Sequence, residues 1–116
     1  PRRGSHGAGA QDRRLVKPYT FHPEADEEFL EALARYGEKS QTLGRRYYHA
    51  IHALIADVCR APTLYRRMPG TGAVRRHFKK PFPYAVLCVV EPDSVLVLAV
   101  AHFKRRPGYW RHRLKR

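Results

Sequence analysis

The chain has 116 residues and 43% hydrophobic content, enough for one domain with a real core, and its longest apolar runs, Tyr84–Val90 and Val95–Ala101, are far too short to span a membrane. Charge is the outlier: residues 1–58 carry 9 bases and 8 acids, whereas residues 59–116 carry 14 bases and only Glu91 and Asp93. Such an excess repels itself across a small fold, so the second half is expected to work against an acidic partner.

Residues 1–16 are rich in Gly, Ala and Arg without periodicity and are read as a flexible basic tail, of which Arg3-Gly4-Ser5-His6 fits a vector-derived remnant. A single domain is expected over 17–113, followed by a basic end at 114–116. Tyr19-Thr20-Phe21 suits a first strand. Pro23 then opens a helix whose first turns hold Glu24, Asp26, Glu27 and Glu28, acids explained by the positive end of the helix dipole. Phe29, Leu30, Leu33 and Tyr36 mark its buried face, and Gly37 is expected to end it. A second helix follows from Ser40 to Arg60, with Tyr47, Ile51, Leu54, Ile55 and Val58 at helical spacing, so that the two helices form a hairpin.

Pro62, Pro69, Gly70 and Gly72 punctuate a loop that contains Arg66 and Arg67. Three strands are predicted after it, over Ala73–Lys79, Tyr84–Val90 and Val95–His102, the last two joined by a Glu91-Pro92-Asp93-Ser94 turn. The predicted fold is α+β in the order β-α-α-β-β-β: a helical hairpin on one face of a small, mainly antiparallel sheet, with the other face and the ends left for charge. Cys59 and Cys88 are too few and too isolated for a disulfide framework or a zinc site, and buried free thiols are expected. His49 and His52 have no third ligand near them and are read as surface or boundary residues. No metal, no cofactor and no membrane partner are expected, and no signal peptide is read at the start, so the expected location is the cytoplasm.

The basic residues fall into four clusters: Arg66-Arg67, Arg75-Arg76, Lys79-Lys80, and Lys104-Arg105-Arg106 with Arg111 and Arg113. Phe78, Phe82, Tyr84, Phe103, Tyr109 and Trp110 are interleaved with them. Guanidinium groups grip phosphates or carboxylates and aromatic faces stack on bases, a combination compatible with RNA binding but not unique to it. Phe78 alternates with Val74 and is read as core. Counting back by two from His102 gives Val100, Leu98 and Leu96, so His102 is read as a structural histidine on an apolar face rather than a general base.

The stretch Val95-Leu-Val-Leu-Ala-Val-Ala-His102-Phe-Lys-Arg-Arg106-Pro-Gly-Tyr109-Trp110-Arg-His-Arg113 resembles the last strand and tail of RelE/ParE-type toxins of bacterial type II toxin–antitoxin modules. Phe21-His22-Pro23-Glu24-Ala25, Pro62 after the second helix and Phe82-Pro83-Tyr84 agree with it, as does the element order over residues 17–113. The resemblance implies a plasmid-stabilising toxin that inhibits growth until a cognate antitoxin neutralises it in an oligomeric assembly. That antitoxin is expected to bring an acidic amphipathic segment to the helical hairpin or the basic strands.

Two mechanisms are implied by the family. RelE-like members act as mRNA interferases that cut messenger RNA on the ribosome; here Arg75 or Arg76, Arg105 or Arg106, and Tyr109 occupy roughly matching catalytic places. The lysine pair of that branch is absent, and Arg66 and Arg67 stand in its place, where a permanently protonated guanidinium makes a poor base. The Arg-Arg-Pro-Gly-Tyr-Trp tail is closer to ParE-like members, which block DNA gyrase and need no base. On that reading the target is met by Arg66, Arg67, Arg75, Arg105, Arg106, Tyr109, Trp110, Arg111 and Arg113. A third reading, a nontoxic nucleic-acid-binding module, rests on charge alone.

Overall fold

The computed structural model describes residues 16–115, so the expected tail over 1–16, apart from Val16, and Arg116 lie outside the described residues. Tyr19–Phe21 (β1) leads into the helices Pro23–Lys39 (α1) and Gln41–Arg60 (α2), followed by Arg66–Arg67 (β2), Val74–Phe78 (β3), Tyr84–Val90 (β4) and Val95–His102 (β5). Short 3-10 turns occupy Pro62–Leu64 and Arg111–Leu114. The five strands form one sheet in the order β1-β5-β4-β3-β2. Only β1 and β5 run parallel; the other neighbours are antiparallel. The two most apolar strands, β4 and β5, take the central places because each must be covered on both faces.

Local chemistry sets the hairpin. Pro23 stands at the start of α1, and His22 Nδ1 accepts a hydrogen bond from the Glu24 amide at 3.1 Å. Gly37 does not end the helix, which continues two residues further to Lys39. The terminator is Ser40, whose extended backbone breaks α1 and whose Oγ accepts from the Leu43 amide at 2.9 Å to cap α2. One residue therefore links the helices, and they cross closely: a Cβ on Gly44 would lie 3.0 Å from Gly37 Cα.

Between hairpin and sheet lies the main core, where Phe29, Tyr47, Ile51 and Ile55 meet Val86, Cys88, Val97 and Val100. Leu30 is not part of it; the buried stripe of α1 runs through Ala25, Phe29 and Ala32, and Leu30, one position off that stripe, is exposed. Cys59 and Cys88 are buried and unbridged, and burial pushes their thiols up to about 11 and about 12.

The opposite sheet face is not left to charge. Val74, Leu87, Leu98 and Ala99 form a second apolar cluster there, roofed by Trp110, with Met68 and Tyr109 packed against it. The long apolar runs of β4 and β5 require this roof, and the C-terminal segment supplies it. The face ends before Phe78, which shares Val74's side of β3 but is exposed at the margin. Arg66 and Arg67 are a short edge strand rather than loop, held because the Met68 amide donates to the Val74 carbonyl at 2.9 Å beyond the pairs Arg66↔Arg76 and Arg67↔Arg75. No helix of the described residues is long and apolar enough to cross a membrane.

The helix crossing predicts opposite outcomes for two glycines. Gly37→Ala has open space around its Cβ and should raise stability by up to about 0.8–1 kcal/mol through helix propensity. Gly44→Val meets the Gly37 backbone and should lower stability by about 1–3 kcal/mol, both read by urea unfolding.

Candidate functional site

The site is built on an irregularity in β5. Leu87 pairs with Ala99, but the next residue, Cys88, pairs with Val97, leaving Leu98 as an extra, bulged residue. The bulge flips the alternation, so Val100 packs on the helix side while Leu98 packs on the other. His102 consequently shares its face with Val100 and not with Leu96 and Leu98; its ring meets Tyr84 edge-on at 5.0 Å and its Nδ1 accepts from the Lys104 amide at 3.0 Å.

A bulge leaves backbone groups without ladder partners, and here two side chains take them. Glu28 Oε1 accepts from the Val100 amide at 3.0 Å, and Arg113 Nη1 donates to the Leu98 carbonyl at 3.1 Å. The two side chains also form a forked pair, with Nη1 to Oε1 and Nη2 to Oε2 both at 2.9 Å. Tyr109 donates its hydroxyl to Glu28 Oε2 at 2.6 Å. Burial, reinforced by that bond to Glu28, raises the Tyr109 phenol well above its ordinary range and keeps it protonated. Alongside, His112 Nε2 lies 3.0 Å from Glu24 Oε1, and this hydrogen bond holds the exposed Glu24 carboxyl below its usual range. Glu24 and Glu28, read from sequence as satisfying the helix dipole, thus clamp the C-terminal segment. Their helical spacing of i, i+4 puts both on one face, but nothing in the sequence pairs them with residues so distant.

The clamped segment and the sheet enclose a groove of about 420 Å³. Arg76, Arg105, Arg106, Tyr109, Trp110 and Arg111 all line it, so these expected residues are brought together. Three of the four cations are held against rings: Arg76 lies 4.8 Å from Phe78 and 5.8 Å from Phe103, Arg105 3.8 Å from Tyr109, and Arg111 5.6 Å from Trp110.

Two expected surface contacts are corrected. Trp110 and Arg113 are only 3% and 4% exposed; the indole is needed as the roof of the second core and the guanidinium as the partner of Glu28. Phe82 and Tyr84 are buried on the helix side, where Arg35 Nη2 donates to Tyr84 Oη at 2.6 Å. The edge arginines are divided by strand alternation. Arg66 stands opposite Arg76, and Arg67 opposite Arg75, so each arginine faces another across the ladder. Arg75 lies outside the groove lining and is half-buried, donating from Nη1 to the Tyr65 carbonyl at 3.0 Å.

A separate polar cluster ties β3 to α2. Asp57 Oδ2 lies 2.9 Å from His77 Nε2 and 3.3 Å from Lys79 Nζ. Burial alone would raise this carboxyl, but the hydrogen bonds from His77 and Lys79 outweigh it and hold it below the usual carboxylate range. On α2, His52 Nδ1 lies 2.6 Å from Tyr19 Oη, and no cluster of three metal-ligating side chains occurs among the described residues.

Residues 19–107 match the family model described as the ParE toxin of the type II toxin-antitoxin system, parDE. No curated protein matches the chain.

Glu28→Gln should cost about 3–5 kcal/mol by urea unfolding, because it leaves the buried Arg113 charge without its carboxylate. Asp57 supplies a pH signature. Its folded-state pKa is depressed, so its contribution is present above the unfolded value of about 3.9 and lost as pH falls through the folded one. The unfolding free energies of the parent chain and Asp57→Asn should therefore differ near neutrality and converge under acid.

Proposed function

Because this chain belongs to the ParE toxin family of type II toxin–antitoxin systems, we propose that it arrests bacterial growth by docking on DNA gyrase and blocking it, until an antitoxin neutralises it. The observation that carries docking over RNA cleavage is the state of the groove's proton-transfer candidates. Tyr109 is occupied as a donor to Glu28. Glu28 itself accepts from Val100, Tyr109 and Arg113. The remaining charged lining side chains, Arg76, Arg105, Arg106 and Arg111, stay protonated and are poor bases. His102 spends Nδ1 on the Lys104 amide. Such a surface binds anions without abstracting a proton.

The ladder of facing arginines supports a partner in the same way. Like charges directly opposite on adjacent strands cost stability, and an acidic partner would relieve that cost. On this reading Arg66, Arg67, Arg105, Arg106 and Arg111, which are all exposed, meet the target, with Arg75 and Tyr109 partly accessible beside them. No cofactor takes part.

Induction should change plasmid supercoiling while leaving transcripts intact, and the purified protein should inhibit gyrase supercoiling. The double variant Arg105→Ala, Arg106→Ala should abolish growth arrest while lowering stability by only about 1 kcal/mol, the size of the lost contact between Arg105 and the Tyr109 ring. Codon-phased cuts in messenger RNA soon after induction would instead identify a ribosome-dependent ribonuclease, and harmless expression without any antitoxin a nucleic-acid-binding module.

A further inference from the structure

We infer that the exposed face of α2 binds the phosphate backbone of duplex DNA, a second binding surface separate from the groove and from gyrase docking. Thr42, Arg45, Arg46 and His49 fall at i, i+3, i+4 and i+7, so they share one face of the helix. Together with the turn at Pro81 they line an open trough of about 560 Å³. Its floor is Phe82, which belongs to the core between hairpin and sheet, so the trough lies on the sheet face opposite the groove.

Helix chemistry does not account for the charge of this face. The start of a helix favours acids, yet the first turn of α2 holds none. No Asp or Glu occurs from Gln41 to Ala56, so no carboxylate stands three or four residues from either arginine. Neither guanidinium has a hydrogen bond or an ion pair among the described residues. Other cations on the helix side are engaged, Arg35 with Glu31, and Arg60 and Lys79 with Asp57. Lys80, next to Pro81 in the chain, is exposed as well. Two cations set against the local helix preference and left unpaired are placed for an external anion.

The lining selects the class of anion. An acidic peptide draws affinity from an apolar anchor in a pocket, and the trough offers none: Phe82 is only 7% exposed and Ala50 is a half-buried methyl. A single strand gains from bases stacked on aromatic faces, and no exposed Phe, Tyr or Trp lines the trough. A duplex keeps its bases inside and presents about one negative charge per 1.7 Å of its axis, so it asks only for donors set along a line. From Thr42 to His49, α2 sets out a hydroxyl, two guanidinium forks and an imidazole over about 10 Å. Such a surface grips phosphates without reading sequence.

The test follows the fluorescence anisotropy of a labelled duplex of arbitrary sequence with the purified full chain over a salt series. Arg45→Ala with Arg46→Ala should weaken binding at least about tenfold near 0.1 M salt and flatten the plot of log affinity against log salt by about 2. Arg45→Lys with Arg46→Lys keeps both charges and should hold affinity within about threefold of the parent, as phosphate contacts by point charges allow. Lys17→Ala with Lys115→Ala removes as much charge outside the trough, Lys17 lying at the opposite end of the sheet against the Glu91 and Pro92 carbonyls, and should weaken binding by less than about threefold. Equal losses from the two alanine pairs, an unchanged salt slope, or tighter binding of a single strand or of an acidic peptide of matched charge would overturn the inference. Neither gyrase nor cells enter the measurement, so its failure leaves gyrase docking standing, and a chain that spares gyrase can still hold DNA on α2.

Discussion

One carboxylate holds the groove side of this molecule together. Glu28 accepts from the Val100 amide, the Tyr109 hydroxyl and both terminal nitrogens of Arg113. A buried ion pair is costly to desolvate and is weak evidence for stability by itself. Here it also satisfies backbone groups that the bulge in β5 removes from the ladder, which an apolar pair of the same volume could not do. Its main effect is positional. By fixing Tyr109 and Arg113, it lays Trp110 over Leu87 and Leu98 and gives the groove its wall.

The same geometry explains how so basic a chain folds. Most of its acids lie on α1, and the two that face the C-terminal segment neutralise Arg113 and engage His112, with Arg105 only 3.9 Å from Glu28 at the edge of reach. Arg76 and Arg111 of the groove lie against aromatic rings, which lowers their cost without cancelling their charge. In the all-arginine pairing of β2 with β3, Arg76 is held against Phe78 and Arg75 donates to the Tyr65 carbonyl, but no carboxylate stands opposite any of the four in the ladder. A local choice that works against folding is most easily understood as one kept for binding.

Much of this was legible in the sequence. The bounds of β4 and β5 follow from continuous apolar runs, the hairpin from helical spacing and Ser40, and the family from the tail. The bulge was not, because alternation cannot be followed through a run in which every residue is apolar; His102 was therefore assigned to the wrong face. The strand β2 has two residues and no apolar alternation to betray it. Arg113 and Arg111 read alike, since charge alone does not distinguish a buried partner from a surface cation. Phe78 looked like core because alternation gives a side chain's direction and not how far the roof extends. The groove was visible only as a set of clusters, although alternation along Ala73–Lys79 already puts Arg75 and Arg76 on opposite faces.

The position of β1 carries a consequence for how the protein is made. Its only neighbour among the described strands is β5, so the first described strand pairs with the last, far along the chain. Such long-range closure is entropically expensive until both ends are present. The seal on the bulge comes later still, with Arg113. The arginines of β2 and β3 therefore emerge before the residues that arrange the groove. An abortive product that stops short of Arg113 retains the basic edge strand but lacks the clamp that shapes the groove. The shape of the groove is thus coupled to the presence of the chain through Arg113.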